Sequence, residues 1–504
     1  MARNTASNLA GRFVILGANF LITPYLLGKL GPIQYGVWVL VGTIVAFGWL
    51  LDLGIAAAVT KFVAEHAARR EIEAVHRTVS TALWIYAGLG LAAVLLGVIG
   101  GFVIGVVLGL EPSERVTVGW LTFLMALTIG VTIAFSPATA VLRGLQRFDL
   151  ANLAIVGTGL ATLLTSILAL ALGGGLLGMV AANTIVTVVG QVWIVWLVRR
   201  TAPELKFDWR DPDRAVARRI VGFSGAVFAV QLASRLQFEA DGIVVAAVLS
   251  VGAVTPYALA IRLGGLATII AGQFTSVIQP VAAQLSAGDD RDRLRTLYIV
   301  STRLTLAVLL PLGVVLSVLA GRILTVWVGS GYAAEAGLVV ILTAAAIVDT
   351  SLWPAGYILQ GMNRHRPLAL IALASALANV GLSIVLARTV GLIGVALGTL
   401  IPTSLEACLL VTPLATRLLG VSPVALLKQA ILPAAWPCIP TGLLLFLLDE
   451  MLDLTSLPLL ALAGGCAVTL YFACYLGLGA TSRERRLIID FATRARRSWG
   501  HLRP

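Results

Sequence analysis

The stretch IVGFSGAVFAVQLASRLQFEADGIVVAAVLS, Ile220–Ser250, decides how the rest of the chain is interpreted. Its length and hydrophobicity predict a membrane-spanning helix, because about 20 apolar residues cross a bilayer. Arg235, Glu239 and Asp241 nevertheless lie near its middle. Three such charges facing lipid would cost on the order of 8–10 kcal/mol. We therefore expect them to face the interior of a helix bundle or a water-filled cavity that other helices form.

Composition extends this interpretation to the whole chain. Of the 504 residues, 59% are hydrophobic and only 12% are charged, and the mean hydropathy is +0.97. A soluble domain carries about 25% charged residues, so the sequence predicts a polytopic membrane protein. The N-terminal apolar run lacks a small-residue cleavage site, and we interpret it as a first spanning helix. The net charge of +12 is explained below by topology, and we expect no nucleic-acid partner.

Sequence signatures of enzymes and metal sites are missing. The chain has no phosphate-binding loop, no nucleophile elbow and no zinc-protease motif. Its four cysteines lie in apolar segments without metal-type spacing, which predicts small buried hydrophobic residues: Cys408, Cys438, Cys466 and Cys474. The four histidines fall in polar connections, which argues against a histidine proton relay. We expect no catalytic residues, no metal and no enzymatic activity.

Fourteen apolar segments are long enough to cross a bilayer. The connections after even-numbered segments, together with Arg3 and the C-terminal tail, carry 28 of the 36 lysines and arginines. By the positive-inside rule, both termini are predicted to be cytoplasmic in a bacterial inner membrane. The predicted spans are centred near residues 18, 47, 93, 131, 162, 187, 234, 268, 312, 347, 378, 402, 438 and 468.

An internal repeat indicates two lobes. SPATAVLRGLQRF (Ser136–Phe148) aligns with WPAGYILQGMNRH (Trp353–His365) at an offset of 217 residues, and the GLLG turn at 175–178 matches GLIG at 391–394. Six spans per repeat predict an all-α membrane protein with two parallel six-helix lobes about a pseudo-twofold axis, plus two extra helices. The predicted divisions are an N-lobe at 1–200, a cytoplasmic linker at 201–219, a C-lobe at 220–418, two further spans at 419–480 and a basic amphipathic cytoplasmic tail at 481–504.

Polar side chains inside the predicted spans are the candidate functional residues. Gln231, Arg235 and Glu239 are four residues apart and form one stripe. Asp241 points about 160° away from Glu239 on a straight helix. Either the helix is bent or unwound near Gly242, or one acid pairs with a neighbouring helix. Arg235 and Glu239 are also placed to form a structural ion pair.

Other spans carry their own polar residues. Arg12 and Asn19 share one face of the first span. Structural roles are the favoured interpretation for Arg303 and Glu406, which lie near span ends. For the remaining residues a structural ion pair stays the alternative to function: Asp52 in the second span, Arg262 in the eighth and Asp349 in the tenth.

Four segments carry a family resemblance: TPYLLGKLGPIQYGVWVLVGTI (Thr23–Ile44), LLDLGI (Leu50–Ile55), VLRGLQRF (Val141–Phe148) and the GLLG turn. In this order they resemble the polysaccharide transporter family, the oligosaccharide flippases of the multidrug/oligosaccharidyl-lipid/polysaccharide exporter superfamily. The resemblance implies an exporter that moves polyprenyl-pyrophosphate-linked oligosaccharide by alternating access, for surface or exopolysaccharide synthesis. Related lipid II flippases carry an Arg-Asp pair in the first helix where this chain has Asn19-Phe20, which argues against lipid II.

The resemblance also implies roles for the candidate residues. An anionic lipid-linked substrate would contact Arg12, Asn19, Gln231, Arg235 and Arg262, and ion coupling would use Asp52, Glu239, Asp241 and Asp349. The implied partners are the lipid-linked substrate, membrane lipids and polysaccharide polymerase or export machinery, with the protein itself a monomer. No cofactor is implied apart from H⁺ or Na⁺ as the coupling ion. The alternative function is an H⁺- or Na⁺-coupled exporter of drugs or small molecules with the same fold.

Overall fold

A computed structural model describes residues 2–52, 55–107, 112–204, 212–220, 239–275, 278–362 and 364–479. Throughout these ranges the regular structure is helical, and none of it is strand. The predicted all-α class is confirmed. Contacts divide the chain into two compact units, Met1–Ala258 and Leu259–Pro504. The lobe boundaries drawn from the repeat stay a prediction.

The first unit begins with a long helix that is broken at one glycine. Gly31 has φ 74° and ψ 168°, values outside the helical range, and Pro32 follows it. Glycine tolerates a positive φ, and proline restarts a helix without needing an N–H partner. The break therefore separates the first two predicted spans. The helices are α1 Ala2–Ala46 with a 3₁₀ turn at Phe47–Asp52, α2 Ile55–Ala68, α3 Ile72–Val107, α4 Pro112–Gly144, α5 Phe148–Ala171, α6 Gly175–Thr201, α7 214–220 and α8 239–248.

Close packing of α3 on α4 forms much of this unit. A Cβ added at Gly90 would lie 2.6 Å from the Gly130 carbonyl oxygen, and one at Gly97 would overlap Ala126. Small residues let membrane helices approach closely, where dispersion replaces the hydrophobic driving force. Tyr86 of α3 lies fully buried in the resulting core.

The second unit contains more and shorter helices. Three of its segments are π-helices, in which hydrogen bonds run from i to i+5: Glu406–Val411, Leu427–Ile431 and Tyr475–Gly479. The α-helices are α9 Val254–Thr275, which begins in the first unit, α10 Ile278–Ala287, α11 Arg291–Val318, α12 Ala320–Val328, α13 Ala336–Ser351 (after a 3₁₀ turn at Ser330–Glu335), α14 Trp353–Gly361, α15 His365–Val390, α16 Leu392–Leu405, α17 Thr412–Leu419, α18 Pro423–Leu426, α19 Leu432–Ala435, α20 Cys438–Met451 and α21 Leu457–Cys474.

Equivalent positions of the sequence repeat have equivalent surroundings in each unit. A Cβ at Gly144 would lie 2.6 Å from Val63 Cγ1 of α2, and a Cβ at Gly361 would lie 2.8 Å from the Gln279 carbonyl of α10. The second motif behaves alike, since Gly175 has φ 59° and Gly391 has φ 70°. The repeat therefore preserves a close helix contact and a turn that requires glycine.

Eleven helical segments of the described ranges are long and apolar enough to cross a membrane. They coincide with twelve predicted spans, because Gly17–Asp52 covers the first two. Predicted span 8 corresponds to the shorter apolar helix Val254–Ile269. Most of predicted span 7 lies outside the described residues, so the count of fourteen stays a prediction.

Candidate functional site

Asp52 lies at the end of the 3₁₀ turn in the first unit. Its Oδ1 accepts a hydrogen bond from the hydroxyl of Tyr86 on α3. Ser136, next to the repeat proline on α4, lies beside the same tyrosine hydroxyl. This chain of groups ties the predicted coupling acid to the first copy of the repeat motif.

Asp241 forms the second polar site of this unit. Its side chain is 2% exposed, and Oδ2 accepts a hydrogen bond of 2.7 Å from the Tyr257 hydroxyl on α9. The backbone is helical over 239–248 without a break at Gly242. Of the two alternatives raised by the sequence, the acid therefore pairs with a neighbouring helix. Glu239, at the start of the described part of α8, is half-buried.

Asp349 lies in the second unit, on α13. Trp353 Nε1 donates a hydrogen bond of 3.2 Å to its Oδ2. Trp353 opens the second copy of the repeat motif, at the position equivalent to Ser136. Both copies of the motif therefore border an acidic site. The two residues are four apart, so the sequence spacing already places them on one helical face.

Glu406 joins Asp349 in this site. The two carboxyl groups are near enough for their charges to interact, although they lie on separate helices. Glu406 is 9% exposed, and Ser375 of α15 lies beside it. Within the described ranges, neither acid has a lysine or arginine partner. The sequence offers no signal for this pairing, because it depends on how α13 and the helix after α16 pack.

Buried polar atoms of Glu406 and of the neighbouring helix α15 lack hydrogen-bond partners among the described residues. Glu406 Oε2 and both amide atoms of Asn379 make no hydrogen bond to the part of the chain that the structure describes. Asn379 is one turn from Ser375 and is 1% exposed. Two like charges in a low-dielectric site repel each other, which favours a protonated carboxyl or a bound cation at such a pair. Oxygen ligands suit hard cations such as Na⁺.

Arg303 is a buried arginine with a structural environment. It is 5% exposed, and its Nη1 donates a hydrogen bond of 3.0 Å to the Gln429 carbonyl. Gln429 belongs to the π-helix Leu427–Ile431. This hydrogen bond satisfies part of a buried guanidinium. The structural role favoured from the sequence stays a prediction.

The substrate-binding candidates are only partly described. Gln231 and Arg235 lie outside the described residues, as does the side chain of Arg12. Asn19 is exposed on α1, and Arg262 is half-buried on α9. Their roles stay predictions.

Comparison with known proteins places the chain in a family. A profile described as polysaccharide biosynthesis protein matches residues 29–337. The chain belongs to this family. The uncharacterized membrane protein EpsK of Bacillus subtilis (strain 168) is 23% identical to this family member over 310 residues. That alignment covers 60% of each protein, so the chain matches about three fifths of the relative's length.

Two solved structures share the fold of this family member. The inward closed conformation of the lipid II flippase MurJ gives a TM-score of 0.74 at 14% identity, covering 94% of this chain and 99% of that one. An inward-facing multidrug resistance MATE family transporter of the MOP superfamily gives 0.63 at 16% identity, covering 83% and 99%. The similarity confirms the predicted fold class and is a similarity of fold alone.

Proposed function

We propose that this protein is a flippase that moves polyprenyl-pyrophosphate-linked oligosaccharide across the cytoplasmic membrane by alternating access. The observation that carries the proposal is the polysaccharide biosynthesis profile over residues 29–337, on a chain that shares its fold with a lipid II flippase. A membrane protein of polysaccharide synthesis with short connections suits transport of the lipid-linked precursor better than bond formation.

The anionic part of such a substrate requires cations inside the membrane. Arg12, Arg235 and Arg262 are the arginines that the proposal assigns to the pyrophosphate, since guanidinium groups bind phosphate oxygens in bidentate fashion. Asn19 and Gln231 are assigned to the glycan, because amides both donate and accept hydrogen bonds. The polyprenyl tail remains in the lipid.

The acids supply ion coupling in this proposal. Asp349 and Glu406 form the strongest candidate pair, because their charges interact and no described cation neutralises them. Asp52 and Asp241 each accept a hydrogen bond from a tyrosine hydroxyl, and the proposal assigns both acids to the uptake of H⁺ or Na⁺. Glu239 completes the set of proposed coupling acids.

A reconstitution experiment tests the proposal. Lipid-linked oligosaccharide is isolated from a deletion strain, identified by mass spectrometry and placed with purified protein in proteoliposomes. We expect the protein to move the glycan to the side where an added glycosidase can cleave it. Normal surface polysaccharide in a deletion strain without a paralogue would contradict the proposal. A transfer rate no higher than in liposomes without the protein would also contradict it.

A second candidate is an ion-coupled exporter of drugs or small molecules. The similarity to a multidrug transporter and the acidic pair favour it. Expression in a dye-sensitive host separates the two functions. Lowered accumulation of a cationic dye that survives Arg235→Ala would favour the drug exporter, because a cationic substrate does not need that arginine.

A further inference from the structure

A basic cavity in the second unit is separate from every residue assigned above. It has a volume of about 410 Å³ and lies where three connections meet. These connections are the one before α11, the one between α14 and α15, and the one that follows α17. The sequence predicts all three on the cytoplasmic side, because each follows an even-numbered span.

Four arginines line this cavity: Arg291, Arg295, Arg364 and Arg417. Asp289 is the acid among its lining residues, and it contacts Arg291 at 3.4 Å. Both of those side chains are largely exposed, so the pair neutralises little charge. Arg364 and Arg417 make no ion pair with any residue in the described ranges and are exposed. The cavity therefore has a positive excess that water and solutes can reach.

The guanidinium of Arg295 is fixed in place at the cavity wall. Its Nε donates a hydrogen bond of 2.8 Å to the Leu419 carbonyl at the end of α17, and Nη1 contacts Asp292 at 3.0 Å. Gly420 has φ 65°, and a Cβ there would lie 2.7 Å from Arg295 Nη2. The glycine thus leaves room for the guanidinium. A fixed guanidinium loses less side-chain entropy when a ligand binds.

We propose that this four-arginine pocket binds a phosphate group, carried either by an anionic phospholipid of the cytoplasmic leaflet or by a soluble phosphate compound. Guanidinium forks match phosphate oxygens in bidentate geometry. Basic pockets between spanning helices at the membrane surface are suited to lipid head groups. A cavity of this volume accommodates a head group or a pyrophosphate but not a long glycan.

The source of the phosphate is distinguished by two arms of one experiment on the full-length protein. In the first arm, native mass spectrometry counts phosphatidylglycerol retained by protein released from nanodiscs of phosphatidylglycerol and phosphatidylcholine. In the second arm, calorimetry measures inorganic pyrophosphate binding in nanodiscs of phosphatidylcholine alone. The variant is Arg364→Gln/Arg417→Gln. The matched control is Arg77→Gln/Arg293→Gln, which removes the same charge from exposed positions outside the pocket.

We expect affinity to fall about fivefold for each pocket arginine removed, hence about 25-fold in the double variant. The control variant should keep the affinity of the unmodified protein. Loss in the first arm alone identifies a lipid head group, and loss in the second arm alone identifies a soluble phosphate. Equal binding by the pocket and control variants in both arms overturns the proposal. If the glutamine variant fails to fold, Arg364→Lys/Arg417→Lys takes its place, with loss of the bidentate contact expected to weaken binding.

Discussion

At the scale of single residues, the intramembrane acids share a kind of partner. Asp52, Asp241 and Asp349 each accept a hydrogen bond from the polar edge of an aromatic ring. Tyrosine and tryptophan donate without carrying charge, so they stabilise a carboxylate less than an arginine would. At Asp349, which has no lysine or arginine partner among the described residues, such a donor leaves the carboxyl able to exchange between its charged and neutral forms, as the proposed ion coupling requires.

Asp349→Asn and Glu406→Gln test the acidic pair. Each change removes a carboxyl that the coupling proposal needs, so we expect gradient-driven transport in proteoliposomes to fall at least about tenfold. Stability should not fall, because a charged residue inside a spanning helix costs about 2.5–3.5 kcal/mol that a neutral amide avoids. Thermal unfolding in detergent measures the stability of each variant.

Asp453→Asn is the matched control for this pair. Asp453 is 85% exposed in a connection, and its neutralisation should leave transport unchanged. Wild-type transport rates in both Asp349→Asn and Glu406→Gln would show that the pair is structural.

The sequence predicted Asp52, Asp241 and Asp349 as candidates but none of their hydrogen-bond partners. Only the Asp349–Trp353 contact has a signal in the sequence. Asp349 and Trp353 are four residues apart, and helical spacing makes that contact readable. Tyr86 and Tyr257 lie on other helices from the acids they bind, and nothing in their apolar surroundings marks them. Glu406 was favoured as structural because it lies near a span end. Its proximity to Asp349 was not predicted, because one sequence does not show which helices become neighbours.

At the scale of elements, the repeated glycine of the two motifs decides how closely two helices pack. Gly361 ends α14 against the backbone of α10, where a Cβ would lie 2.9 Å from the Ala283 nitrogen and 2.8 Å from the Gln279 oxygen. Gly356 lies on the same helix, and a Cβ there would meet no atom within 4 Å. The two positions have different requirements for glycine.

Gly361→Ala and Gly356→Ala should therefore change stability in opposite directions. The first inserts a methyl group against backbone that cannot move away, which typically costs about 1–3 kcal/mol. The second replaces glycine by the best helix former in open space and should gain about 0.5–1 kcal/mol. Thermal unfolding of the purified variants measures both, and shifts of the same sign would contradict the packing argument.

Helical spans were predictable because hydropathy and length specify them, whereas local departures from the α-helix were not. The π-helices Glu406–Val411, Leu427–Ile431 and Tyr475–Gly479 have compositions like those of the helices around them. Their i→i+5 hydrogen bonds depend on tertiary packing, which a hydropathy pattern does not contain. The glycine at 31 was quoted for its family resemblance, but its positive φ was not foreseen.

At the scale of the whole molecule, the sequence repeat assigns α8 to the second lobe, whereas the contacts between residues assign it to the first compact unit. The repeat places 220–250 at the start of the second lobe, whereas contacts place residues up to Ala258 in the first unit. The hydrogen bond from Tyr257 to Asp241 lies within that first unit. A sequence repeat records which segments correspond, and a contact division records which segments pack, so the two need not coincide.

Single cysteines test the predicted topology around residues 220–250. Glu204→Cys and Gly252→Cys are made in a chain whose four native cysteines are replaced, and both positions are exposed. If the segment crosses the membrane, an impermeant maleimide should label Gly252→Cys in intact spheroplasts and Glu204→Cys only after lysis. Labelling of both from the same side would show that the segment does not cross, and the count of fourteen would be wrong.

The π-helices of the second unit affect where the sequence can gain or lose a residue. Each i→i+5 turn takes up about one residue more than an α-helical turn. Loss of one residue within Leu427–Ile431 would restore a regular α-helix while the segments before and after kept their rotational phase. The same loss inside a regular span would rotate everything beyond it by about 100° and turn lipid-facing side chains inward. These turns therefore mark places where insertions and deletions can accumulate without rearranging the bundle.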